Sequence, residues 1–75
     1  MKIRVKLYGE FRKAAPSPDF PFELEEGATV KELATKLRLP ETMYKMALVN
    51  GFRVRDDWKL KDGDEVHIFQ PVGGG

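Results

Sequence analysis

The sequence predicts an α+β domain, a mixed sheet of four to five strands with one main helix packed on one face. Three observations carry this. Residues 2–8 alternate with period two, with Ile3, Val5 and Leu7 on one side and Lys2, Arg4 and Lys6 on the other. A single helical stripe follows, in which Val30, Leu33, Ala34 and Leu37 fall at i, i+3, i+4 and i+7. The dipeptide Asn50-Gly51 then separates two short apolar runs, and one more alternating run closes the body at residues 65–69.

Composition sets the frame. Seventy-five residues suit one domain with a small core. A hydrophobic fraction of 41% with 33% charged residues fits a folded chain and argues against disorder. The absence of cysteine removes disulfides, thiolate metal sites and a thiol nucleophile, and fits a reducing compartment. No apolar run approaches the ~18 residues of a membrane span. Met1-Lys2-Ile3-Arg4 leads into alternation instead of the apolar core of a signal peptide. A cytoplasmic protein with no membrane partner is expected. Thirteen basic residues against twelve acidic ones give +1, too even a balance for nucleic acid as the main partner.

In chain order, residues 2–8 form a half-buried first strand. Residues 9–19 are a connection, since Pro16 and Pro18 flank Ser17 and cannot sit in a central strand. Phe11 is expected to pin this connection to the domain. Phe20, Phe22 and Leu24 alternate with Pro21 and Glu23 as a second strand, antiparallel to the first. Thr29 and Glu32 then match a capping box: the threonine accepts from the Glu32 amide and the carboxylate reaches back. Lys36 and Arg38 fall in the last turn, where cations complement the helix dipole, and Pro40 ends the helix. Residues 41–45 make a short turn carrying Met43 and Tyr44. Residues 46–49 and 52–54 pair through Asn50-Gly51. Trp58 and Leu60 tuck under the sheet edge. In the last strand Val66 and Ile68 point inward, His67 and Phe69 outward.

Strand, strand, helix, strand, short strand, strand is the β-grasp order, with the first and last strands central and parallel. The domain is then residues 1–70, followed by a flexible tail over 71–75 that ends in Gly73-Gly74-Gly75. Glycine loses the most backbone freedom on ordering and packs nothing, so three together have no purpose in folding. They leave a thin chain end that reaches roughly 20 Å from Phe69 when extended. Composition alone leaves a frayed end and a functional carboxylate equally open.

Self-contained chemistry is missing. His67 and Ser17 are the only residues of their kinds, with no motif to join them as base and nucleophile. His67 reads as an exposed bystander. Asp62, Asp64 and Glu65 lack the spacing of a calcium loop, and Asp-Gly-Asp between strands is turn chemistry. No metal site and no bound cofactor are expected, and the domain is handled by enzymes instead of being one.

The first hairpin, the capped helix opening Thr29-Val30-Lys31-Glu32-Leu33 and the triplet Val49-Asn50-Gly51 together resemble the MoaD/ThiS family of ubiquitin-like sulfur carriers. So does the ending, Lys61-Asp62-Gly63-Asp64-Glu65-Val66-His67-Ile68-Phe69 with its terminal Gly-Gly. The resemblance spans nearly the whole chain; each motif is weak alone, and the ordered set is specific. It implies that a ubiquitin-activating-type enzyme adenylates the carboxylate of Gly75 with ATP, which belongs to that enzyme. A sulfur donor then makes a thiocarboxylate, and a downstream synthase takes the sulfur. Gly75 is the implied covalent site, and Gly73 and Gly74 the implied threading segment.

Docking needs a surface, and alternation nominates one. Leu48 and Phe69 should face outward on neighbouring strands, with His67, Lys6 and Arg4 around them. The long connection over 9–19 resembles small subunits of molybdopterin synthase, which take a synthase large subunit as partner. Residues 55–58 and 72–75 look more like thiamine-pathway carriers, which serve a thiazole synthase. Carriers for cysteine or tungsten-cofactor synthesis stay open too. The alternative from another class is a ubiquitin-like modifier, joined to lysines through the same carboxylate.

Overall fold

β1 (Lys2–Leu7) and β5 (Glu65–Phe69) run side by side and parallel in the middle of a five-stranded sheet. The computed structural model describes residues 1–42 and 45–70. The expectations placed on Met43 and Tyr44, and on the 71–75 tail with Gly73, Gly74 and Gly75, lie outside the described residues.

β2 (Asp19–Glu23) pairs antiparallel with β1. On the other side β3 (Met46–Val49) pairs antiparallel with β5, and β4 (Phe52–Val54) with β3. The order β2-β1-β5-β3-β4 is mixed, and Pro21 lies on an edge strand, where a missing N–H is tolerated. This is the predicted β-grasp, with the helix α1 (Val30–Lys36) against one face.

Period-two patterning explains which face is covered. Ile3, Val5, Leu7, Ala47, Val49, Val66 and Ile68 are all buried and project to the helix side, where Val30 and Leu33 meet them. The β3–β4 link is a two-residue turn with Asn50 at φ 52° and Gly51 at φ 89°. Two positive φ values suit the right-handed twist of a hairpin, and asparagine and glycine are the residues that tolerate them.

Several local expectations are corrected. The connection over 9–19 contains a 3-10 helix, Gly9–Ala14, and its Phe11 is 1% exposed, which confirms the pinning. The helix is shorter than the stripe suggested. Leu37 caps it and Arg38, at φ 57°, lies beyond it, so Pro40 is not what stops it. The Arg38 amide donates to the Thr35 carbonyl and the Leu39 amide to the Ala34 carbonyl, both at 3.0 Å, and Leu39 is buried. That is a Schellman ending, which needs one left-handed residue and an apolar one after it. At the other end Thr29 accepts from the Glu32 amide at 3.2 Å as expected, but the Glu32 carboxylate meets the Thr29 hydroxyl, 3.4 Å away, instead of its amide. Leu60 is buried, whereas Trp58 is 46% exposed. Its backbone does the tucking: the Trp58 carbonyl accepts from the Val30 amide, and Leu60 donates to the Ala28 carbonyl.

Candidate functional site

The helix covers one side of the sheet, and the other side is open. Strand register lays out that open face in rows. One row runs Arg53, Leu48, His67, Lys6, Asp19 across all five strands. In the next, Met46 lies opposite Phe69. The predicted neighbours Leu48, His67 and Phe69 are therefore brought together, with Lys6 directly beside His67.

Tyr8 completes the cluster. Its ring stacks on that of His67 with centroids 5.7 Å apart and meets the edge of Phe69 at 6.3 Å. Its hydroxyl lies 2.7 Å from His67 Nδ1, and His67 Nε2 lies 3.6 Å from Glu65 Oε1. A Tyr8 hydroxyl that donates to Nδ1 would place the ring proton on Nε2, toward Glu65. His67 is therefore not isolated: Tyr8 stacks on its ring and meets its Nδ1. Tyr8, Gly9, Leu48, His67, Phe69 and Gln70 line a shallow, mostly apolar recess of about 430 Å³ at the end of β5. The domain thus presents an apolar hollow where the chain passes Gln70.

The two predicted rim cations are already engaged. Lys6 Nζ lies 2.6 Å from Glu65 Oε1, and Arg4 Nε donates to Asp19 Oδ1 at 2.6 Å. The Lys6 hydrogen bond, then its charge, holds the Glu65 carboxyl below the ordinary carboxylate value, and Glu65 raises Lys6 in return. The Arg4 hydrogen bond foremost lowers Asp19. Arg4 and Lys6 therefore present neutralised pairs, not bare positive charge.

The acidic turn is structural. Asp62 accepts from the Lys2 amide, and Asp64 from the Lys61 amide and from Asn50 Nδ2. Among the described residues no group of histidine and carboxylate side chains could hold a metal ion, and no helix is long and apolar enough to cross a membrane.

Sequence reasoning passed over Tyr8, Met46 and Arg53. Each was within reach: alternation through β1 puts Tyr8 outward, and the Asn50-Gly51 turn sets Arg53 opposite Leu48.

Known proteins resemble the chain over its whole length. The ThiS family profile matches residues 5–75. The molybdopterin synthase sulfur carrier subunit of Chlamydomonas reinhardtii is 34% identical over 83 aligned positions, covering 100% of both chains. A provisionally named molybdopterin converting factor, subunit 1, from Pyrococcus furiosus superposes with a TM-score of 0.80 at 32% identity, over 96% of this chain and 99% of that one. The small archaeal modifier protein 1 of Methanosarcina acetivorans gives 0.67 at 26%, over 99% and 96%. The curated relative is a carrier subunit by name, not an enzyme. The chain belongs to the ThiS family, the MoaD/ThiS group of ubiquitin-like sulfur carriers.

Proposed function

We propose that the chain is the sulfur carrier of a molybdopterin synthase, activated at Gly75. The observation that carries this reading is the 34% identity to a molybdopterin synthase sulfur carrier subunit over the full length of both chains. The likeness to the Pyrococcus furiosus molybdopterin converting factor subunit 1, at 32% identity, supports it over the thiamine pathway.

In this reading residues 1–70 are the recognition body and 71–75 the substrate-like tail. An adenylating enzyme joins the Gly75 carboxylate to AMP from its own ATP and releases pyrophosphate. A sulfur donor displaces the AMP and leaves a thiocarboxylate. The synthase large subunit takes that sulfur for its pterin substrate, and an oxygen from water restores the carboxylate. Gly73 and Gly74 thread the narrow approach, where side chains would obstruct. Leu48, Phe69 and His67, with Met46 and Tyr8, dock against the partners. No cofactor resides in the carrier, and the ATP-dependent cycle suits the cytoplasm.

Incubation with the organism's adenylating enzyme, ATP and a sulfur source should raise the mass of the C-terminal fragment by ~16 Da, one sulfur in place of one oxygen. No gain with an enzyme that adenylates other carriers overturns the reading. The likeness to small archaeal modifier protein 1 favours a second use of the same carboxylate, in isopeptide bonds to lysines. Conjugates that persist under reducing denaturation and vanish on deletion of Gly74 and Gly75 would establish it.

A further inference from the structure

The two cations that sequence placed at the docking rim are internally paired, so any charge the face offers a partner must come from elsewhere on it. β4 supplies it. Arg53 lies opposite Leu48, on the same open face. Arg55 follows two residues on and lines one groove of about 930 Å³ with Arg53, Met46 and Lys31. Neither arginine enters an ion pair or a side-chain hydrogen bond among the described residues. Asp56 and Asp57 line the same groove without pairing to them.

We propose that Arg53 and Arg55 are the charged half of the docking face and engage carboxylates on the adenylating enzyme that covers Leu48 and Phe69. The inference rests on the carrier reading and adds to it the residues that select the partner. Arg53 stands next to Leu48 in one cross-strand row, so a surface that covers the apolar strip from Met46 to Phe69 must also meet the β4 edge. An apolar centre beside a polar margin is the usual anatomy of an interface. A guanidinium matches a carboxylate through two parallel hydrogen bonds, which a lysine does not reproduce. Arg55 lies just past the end of β4, and two residues of chain span at most roughly 7 Å, so the partner should present two carboxylates close together. Arg4 and Lys6 contribute little, because binding a partner would first have to break their bonds to Asp19 and Glu65.

The test measures association of the full-length carrier with the organism's purified adenylating enzyme as a function of salt. Charges at an interface margin act chiefly on the association rate. The Arg53→Glu/Arg55→Glu variant should associate about 10-fold more slowly at low salt, within the range of electrostatic steering. The difference should close near ~0.5 M salt, where the screening length is only a few Å. Arg53→Lys/Arg55→Lys should keep the salt dependence but dissociate faster. Arg4→Gln/Lys6→Gln should stay within about 3-fold of wild type at every salt, as exposed paired charges do. Thermal melts confirm that each variant is folded. Wild-type kinetics in the β4 charge-reversal variant, with the wild-type carrier bound and adenylated, overturn the inference. A wild-type carrier that is neither bound nor adenylated overturns the carrier reading instead.

Discussion

Asn50 Nδ2 donates to Asp64 Oδ1 at 2.9 Å, tying the tight turn between β3 and β4 to the approach of β5. The same asparagine accepts from the Glu65 amide through its Oδ1, also at 2.9 Å, and Asp64 Oδ2 accepts from the Lys61 amide. One left-handed residue thus serves as turn former and as clamp on the strand that leads to the tail. Asp64→Ala leaves two donors without their acceptor at a site only 8% exposed. The expected loss is about 1–3 kcal/mol, read from urea midpoints. Asn50→Gly keeps the positive φ and loses only the side-chain bonds, so it should fall between wild type and Asn50→Ala.

The Tyr8–His67 contact predicts a tautomer. In wild type, long-range nitrogen–proton NMR spectra at neutral pH should show the His67 proton on Nε2, opposite Tyr8. Tyr8→Phe keeps the ring stacking and removes the hydroxyl. It should shift His67 toward a mixture of both tautomers while changing stability by less than about 1 kcal/mol.

Arg38 holds a left-handed backbone at φ 57° to end the helix. Glycine adopts that conformation without the Cβ penalty, though it loses more freedom on folding. Arg38→Gly should raise stability by up to about 1 kcal/mol, a gain of ~4–8 °C in Tm for a domain of this size. Leu39→Ala removes the buried residue of the same motif and should cost about 2–5 kcal/mol.

The paired charges on the open face give a pH dependence whose sign is fixed. Asp19 and Glu65 have folded-state values below their ordinary 3.8 and 4.5. Their contribution is therefore complete above those values and disappears as pH falls through the lowered ones. Lys6 is raised above 10.5, so the same bridge fades as pH rises through that raised value. All three groups face solvent, and the slopes should be shallow. Glu65→Gln should flatten the acid limb of a urea-midpoint profile and reduce, without abolishing, the Lys6 part of the alkaline limb, since Asp19 also raises Lys6.

The sheet was legible because alternation at residues 2–8 and 65–69 and the Asn50-Gly51 turn are local signals, and the β-grasp order follows from them. What stayed hidden depends on partners far apart in sequence. His67 looked idle because its contact is Tyr8, 59 residues away. The partners of Arg4 and Lys6 stayed hidden because Asp19 and Glu65 reach them only through strand pairing. The helix end was misassigned to Pro40 because nothing in the identity of Arg38 announces a left-handed residue. Trp58 was placed inside on hydrophobicity, but the backbone at 58–60 supplies the bonds and leaves the ring half outside.

β5 is hydrogen-bonded on both sides, to β1 and to β3, and runs parallel to β1. A force drawn along the chain past Gln70 therefore acts lengthwise on the central strand and loads its bonds in shear, many at once. Strands at a sheet's edge, or pulled crosswise, unzip one bond at a time. A pull applied at Gln70 along β5 is thus resisted by the bonds to both neighbouring strands together.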